Sequence, residues 1–149
     1  MQTLDNLSIG AELYVESCGL YAIDGEKPDS RMLKAIEEVC GCSAAHHLST
    51  RASASVYDNN DLIIAMHDKQ AYEIVNAYPD IADRVFSLSS YAASKGLVFK
   101  DETGRVVSIS IPDPKGENYE TYLHTTRALK AWLEILFAYI IKDLGAERY

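Results

Sequence analysis

The sequence predicts an α/β protein, built as a three-layer sandwich with a short, mainly parallel sheet. Short apolar runs alternate with segments of helical period, as strands and crossover helices do in such a sheet. Residues 61–66 are an almost wholly apolar run, typical of a central strand that is covered on both faces. Residues 118–144 form a long amphipathic segment, which we expect to cover the sheet as a helix, with Trp132 and Phe137 in the core.

The elements before this central strand have clear boundaries. Residues 12–17 alternate apolar and polar side chains and predict a first strand that runs into a loop. Asp29 or Ser30 should cap a helix that ends near Gly41, because apolar residues recur between them at helical spacing.

The elements after the central strand continue the alternation. Residues 69–78 predict a helix that is stopped by Pro79, and residues 84–88 predict the next strand. Two β-rich arms around a turn that contains glycine predict a β-hairpin insertion at about residues 96–110. Gly145 should close the long last helix.

Length and composition favour one domain over residues 1–149. A net charge of −8 without a basic cluster argues against nucleic-acid binding. The sequence shows no signal peptide and no run of eighteen apolar residues, so we expect neither secretion nor a membrane span. Three cysteines are an odd number in a chain large enough to fold without disulfides, which favours the cytoplasm.

Asp113 is the strongest candidate for chemistry. It lies between Pro112 and Pro114, which restrict the backbone and hold the carboxylate in place. Such an Asp could protonate a leaving group if a nucleophile lay opposite and partial burial raised its pKa. The alternative is an ordinary turn before a helix.

Other chemically active side chains give weaker signals. Cys40, Cys42, His46 and His47 could suit zinc or copper, but their spacing matches no common zinc site. We therefore interpret Cys40 as a buried structural thiol and predict no metal and no other cofactor. His67 follows the central strand, where open sheets bind ligands, but a lone His there is more often a loop or cap residue.

Six segments in order carry a resemblance to a known family. They are Glu-Ser-Cys-Gly-Leu at residues 16–20, Gly-Glu-Lys-Pro-Asp-Ser-Arg at 25–31, His-Leu-Ser-Thr-Arg-Ala-Ser at 47–53, the strand at 61–66, the segment at 81–88 and Ile-Pro-Asp-Pro at 111–114. Together they resemble the low-molecular-weight protein tyrosine phosphatases, including their bacterial branch and the related arginine phosphatases. The resemblance covers about residues 8 to 144.

The resemblance implies a role for three residues. Asp113 would be the general acid that protonates the leaving oxygen. Ser17 would support the phosphate loop by hydrogen bonding, and Tyr21 would lie near the wall through which substrate enters. The implied partner is a phosphoprotein or another protein.

The sequence departs from this family at the phosphate loop. Family members begin with a strand followed by Cys, five residues, Arg and Ser, in which the Cys attacks phosphorus. In this sequence no cysteine has an arginine six positions later. The residues at those positions are Asp24, His46 and Leu48. Residues 1–10 would correspond to the tail of the helix after that loop. Lys115 also stands where the family usually has an aromatic residue.

Three hypotheses follow. The first is a phosphatase-family protein that is catalytically incomplete as written, through truncation or through natural loss. The second is a non-catalytic interaction or regulatory module, which binds a partner through the hairpin or through the cleft left open where the family has its phosphate loop. The third is a metal-binding protein. In the resembled family, another strand and the phosphate loop precede the strand that corresponds to residues 12–17. Because the lack of that strand would leave strand edges unpaired, we also expect a homo-oligomer.

Overall fold

A computed structural model describes residues 13–146, which form two compact units. The first comprises the described parts of Met1–Arg51 and Gly116–Tyr149, and the second comprises Ala52–Lys115. The predicted helix tail at residues 1–10 and Glu12 of the predicted first strand lie outside the described residues. One domain over residues 1–149 stays a prediction.

The helices and strands are named in chain order. They are α1 (Ser30–Cys40), α2 (Ala54–Asp58), β1 (Ile63–Ala65), α3 (Asp68–Ala77), β2 (Val85–Ser87), α4 (Leu88–Ser94) and α5 (Tyr119–Ala146), with a 3₁₀ helix at Pro79–Arg84 between α3 and β2. The α/β class and the short parallel sheet are confirmed.

In the first unit, the predicted boundaries of α1 are confirmed. The Asp29 side chain caps the helix by accepting a hydrogen bond from the Arg31 N–H at 2.8 Å. Gly41 ends it in the left-handed conformation, with φ of 66°, and its N–H donates to the Glu37 carbonyl. Ala35 of α1 is fully buried with Tyr122 and Leu123 of α5.

Helix α5 differs from its prediction in two respects. It continues through Gly145 to Ala146, because glycine without a positive φ weakens a helix by only about 1 kcal/mol and need not end it. Trp132 and Phe137 are half-buried, and Leu136 between them is the fully buried residue. Among the described helices, none is both long and apolar enough to cross a membrane.

The predicted first strand is not formed in residues 13–17. Tyr14 and Val15 are exposed at 75% and 76%, and the segment has no ladder of strand hydrogen bonds. A single parallel bridge between Gly19 and Arg51 is the only pairing there among the described residues. Alternating side chains make a strand only when a neighbouring strand pairs with the backbone.

In the second unit, the strands predicted at residues 61–66 and 84–88 are confirmed as the shorter β1 and β2. They pair in parallel, with Ile63 opposite Val85 and Ala65 opposite Ser87. Within the described residues β1 pairs with β2 alone, so its expected central position is not reproduced there. Helix α3 also matches its prediction.

The hairpin forms around its predicted turn, but its arms make little ladder. Lys100 and Val106 make one antiparallel bridge, and the Val107 N–H donates to the Phe99 carbonyl at 2.9 Å. The Asp101 carboxylate tightens the turn by accepting three local hydrogen bonds. These bonds, of which the Thr103 hydroxyl contributes the leading one, lower the pKa of Asp101.

Candidate functional site

The carboxyl ends of β1 and β2 meet at one edge of the sheet, where α/β proteins commonly bind ligands. His67, two residues after β1, is the N-cap residue of α3. Its side chain makes no capping hydrogen bond to the helix. Ser87 ends β2 and is almost fully buried. The edge is therefore lined by polar residues at the start of two helices.

The Asp-Pro loop, residues 111–115, is attached to this edge. Its first residue, Ile111, is buried, and the Ile111 N–H donates to the Met66 carbonyl at 3.1 Å, directly after β1. Asp113 accepts a hydrogen bond from the Lys115 N–H on Oδ1 at 3.0 Å. Pro114 between them is buried, so the turn that carries Asp113 is fixed on both sides.

Asp113 itself is exposed, which differs from the partial burial expected for a general acid. Pro114 is the buried residue of the loop, whereas its neighbour Asp113 is exposed. The position suits a group that meets a ligand at the surface of this unit. It supplies a carboxylate with a defined direction, but no buried environment.

A second carboxylate at the same edge was not anticipated from the sequence. Asp68, in the first turn of α3, accepts a short hydrogen bond from the Ser87 hydroxyl on Oδ1. Its Oδ2 lies 3.2 Å from the hydroxyl of Ser108, on the second arm of the hairpin. Ser108 also contacts the Ser89 hydroxyl at 2.9 Å, and Ser89 accepts the Ile109 N–H at 2.8 Å.

Ser17 and Tyr21 lie in the first unit, whereas Asp113 lies in the second. The Ser17 hydroxyl is 3.3 Å from Nε2 of His47, so the segment that resembles the family's Ser-Ala-Gly stretch contacts the one that resembles its His stretch. The Gly19 N–H donates to the Thr50 carbonyl at 2.9 Å. Tyr21 is 79% exposed.

The cysteines show no sign of an activated nucleophile. All three are free and exposed, including Cys40, so the prediction of a buried thiol there is wrong. Cys40 is the last residue of α1 and lies at the flank of the apolar face centred on Met32, Ala35 and Val39. Partial desolvation, and to a smaller extent the Glu16 carboxylate, raises the pKa of Cys18, which disfavours its thiolate.

A metal site has no support in the part of the chain that the structure describes. Residues 13–146 contain no group of three or more His, Cys, Asp or Glu side chains arranged to hold a metal ion. The cluster predicted as an alternative from Cys40, Cys42, His46 and His47 is therefore not assembled there.

Charged residues in and beside α1 contact one another and the aromatic residues at the start of α5. Arg31 binds Asp29 through two hydrogen bonds of 2.9 and 2.7 Å, and the bond from its side chain lowers the pKa of Asp29 to about 2. The Arg31 guanidinium also lies over the Tyr122 ring, 4.8 Å from its centre. The hydroxyl of Tyr119 donates to Glu38, which raises the pKa of Tyr119 to about 12.

The fold is of the α/β class with a short parallel sheet, and the Asp-Pro loop lies beside β1. A family model described as low molecular weight phosphotyrosine protein phosphatase matches residues 1–147. The chain belongs to this family. Among curated proteins, no sequence matches it.

Solved structures show the same fold at low identity. The YwlE arginine phosphatase from Geobacillus stearothermophilus is 22% identical, with a TM-score of 0.72 over 90% of this chain and 77% of its own. A low molecular weight protein tyrosine phosphatase from T. tengcongensis is 20% identical, with a TM-score of 0.69 over 83% and 75%. A YwlE mutant from Bacillus subtilis is 21% identical, with a TM-score of 0.67 over 83% and 74%.

Proposed function

We propose that the chain retains the acid half of a phosphomonoester hydrolase, with Asp113 as the group that protonates the leaving oxygen. The observation that carries this proposal is the family match over residues 1–147, which includes the Asp-Pro loop. The Lys115 N–H occupies Oδ1 of Asp113, so Oδ2 is the oxygen that would carry the proton. Anchoring of the loop beside β1 supports this role, because general acid catalysis requires a fixed donor.

We further propose that residues 1–149 are catalytically incomplete by themselves. No cysteine in the sequence is followed after five residues by an arginine. The raised pKa of Cys18 is the opposite of what nucleophilic attack on phosphorus requires. A fixed acid without a nucleophile and an anion-binding loop has no leaving group to protonate.

We propose that Ser17 and Tyr21 would take the roles that the family implies once a phosphate loop is supplied. The contact between Ser17 and His47 supports a positioning role for the serine hydroxyl beside a phosphate loop. The 79% exposure of Tyr21 supports contact with a substrate that approaches from solvent. The proposed partner is a phosphoprotein, because the protein tyrosine phosphatase from T. tengcongensis shares the fold.

The acid role is testable by supplying the missing parts. A strand and a loop of Cys, five residues, Arg and Ser can be fused before Met1, and aryl phosphates with leaving groups of different basicity can be assayed. We expect Asp113→Asn to lower kcat about 10²- to 10⁴-fold for a basic phenol. The loss should shrink for an acidic phenol, which leaves without a proton.

The matched control for this experiment is Asp83→Asn, which changes another exposed carboxylate of the second unit, outside the hairpin. It should leave kcat unchanged for both phenols. An active fusion in which Asp113→Asn has no effect on the basic phenol would refute the acid role.

The second candidate function is a non-catalytic interaction module. Three valines of the hairpin are exposed, Val98 at 64%, Val106 at 70% and Val107 at 41%, and exposed apolar side chains of this kind mark interaction sites when they cluster. The first partner to test is a second copy of the chain, since we also predict a homo-oligomer.

Light scattering coupled to size exclusion tests this candidate. At micromolar concentration the chain should elute as an oligomer, and the double variant Val98→Ser, Val106→Ser should elute as a monomer. Substituting the equally exposed Tyr72 by Ser is the matched control and should leave the oligomer intact. A monomeric starting protein would refute self-association through the hairpin.

We propose the cytoplasm as the location. All three cysteines are free thiols in the structure, which suits a reducing compartment.

A further inference from the structure

The hydrogen bonds between the hairpin arm and the sheet edge form one continuous chain. Ser89 accepts the Ile109 N–H, so its own hydrogen is available to the Ser108 hydroxyl at 2.9 Å. Ser108 can then donate to Oδ2 of Asp68 at 3.2 Å. Each hydroxyl donates once and accepts once, and the chain ends on a charged acceptor, which makes such bonds stronger than neutral ones.

Asp68 is itself fixed at the other oxygen. The Ser87 hydroxyl donates to Oδ1, and Ser87 is only 1% exposed. Ser87 also caps α4 by accepting the Ser90 N–H at 3.0 Å, while the Ser90 hydroxyl accepts the Ser87 N–H at 2.8 Å. The carboxylate therefore joins the exposed hairpin arm to a buried residue at the end of β2.

The hairpin arm that these hydrogen bonds hold leads directly into the Asp-Pro loop. Ile109 and Ile111 are buried at 4% and 6% exposure, and the Ile111 N–H is bonded to the Met66 carbonyl. Asp113 follows two residues later, with a proline on each side. A shift of the arm at Ser108 would therefore be transmitted to Asp113 through a short and stiff segment.

We propose that Asp68, Ser89 and Ser108 form a clamp that positions the Asp-Pro loop. All three are positioning residues, since they touch the arm and not the reacting group. The assignment deepens the proposed function and rests on it for the role of Asp113. The clamp acts on the position of the loop, so it can be tested without turnover.

Hydrogen exchange of individual backbone amides tests the clamp in the full chain. In Ser108→Ala we expect the amides of Ile109, Ile111 and Lys115 to exchange about tenfold faster, because one charge-assisted hydrogen bond has been lost. The amide of Ile64 in β1 should not change. Ser108→Thr, which keeps the hydroxyl at an exposed position, should restore exchange to within about twofold of the starting rate.

The matched control is Ser110→Ala, which removes an exposed hydroxyl two positions away and should leave all these rates unchanged. Unchanged exchange in Ser108→Ala would overturn the clamp. A parallel increase at Ile64 would overturn it as well, because the serine would then stabilise the whole unit. If Asp113→Asn has no effect on turnover by the fusion protein, while Ser108→Ala still speeds hydrogen exchange as expected, the acid role of Asp113 is rejected and the clamp is retained.

Discussion

Residues 13–17 and strand β1 have sequences that both predict a strand, yet only β1 forms one. In β1, Ala65 is buried and the backbone pairs with β2 in parallel register. In residues 13–17, Tyr14 and Val15 are at least three-quarters exposed. The difference shows that the alternation of side chains states a tendency, whereas a bonded neighbour decides whether a strand forms.

The largest expected effect comes from the same substitution placed in both regions. Val85→Ala removes apolar volume from an 8% exposed site in β2 and should lower the free energy of unfolding by about 2 kcal/mol. Val15→Ala, at 76% exposure, should change it by less than about 0.5 kcal/mol. Urea denaturation measures both, and equal losses would show that residues 13–17 are packed as tightly as the sheet.

The helices show how far local signals reach. Asp29 and Gly41 marked both ends of α1 because a cap and a left-handed glycine act within a few residues. Helix α4 was missed because Leu88 was interpreted as the end of a strand. Its capping box uses Ser90 at the position where Glu or Gln gives the recognisable signal.

Substitutions of two glycines provide the next test, with an expected change in the free energy of unfolding about half that of Val85→Ala. Gly41 needs a left-handed backbone, so Gly41→Ala should destabilise the protein by about 1 kcal/mol. Gly145 has helical geometry with open space around its Cα, so Gly145→Ala should stabilise it by about 0.5 kcal/mol. Thermal unfolding followed by circular dichroism distinguishes the two, and a loss at Gly145 would restore the interpretation of that residue as a helix end.

The candidate site was only partly predictable. Asp113 could be recognised because its two prolines are adjacent in sequence. The contacts of Asp68 could not, since Ser87 and Ser108 are 19 and 40 residues away and serine has no distinctive spacing. Tertiary hydrogen bonds of this kind follow from the fold and leave no periodic signal in the chain.

The smallest expected effect concerns the exposed ion pair of α1. The folded pKa of Asp29, about 2, is below its ordinary value of 3.8, so its charge contributes stability that is fully present above about pH 4 and is lost as the pH falls towards 2. Asp29→Asn keeps the cap and removes the charge. The variant should be slightly less stable at pH 7, and the difference should shrink as the pH falls from 4 through 2 and also in high salt.

Unfolding curves collected between pH 2 and pH 7 measure this difference. If the difference in free energy of unfolding between the starting protein and Asp29→Asn stays constant over the whole pH range, the effect belongs to the helix cap and not to the pair with Arg31.

The most direct test of the account is the hydrolysis of an aryl phosphate by residues 1–149, compared with Asp113→Asn and with a variant in which all three cysteines are replaced by Ser. The account predicts that the three proteins have the same negligible rate, because an acid without a nucleophile cannot act. Robust turnover by the starting chain that disappears on removal of the cysteines would contradict it.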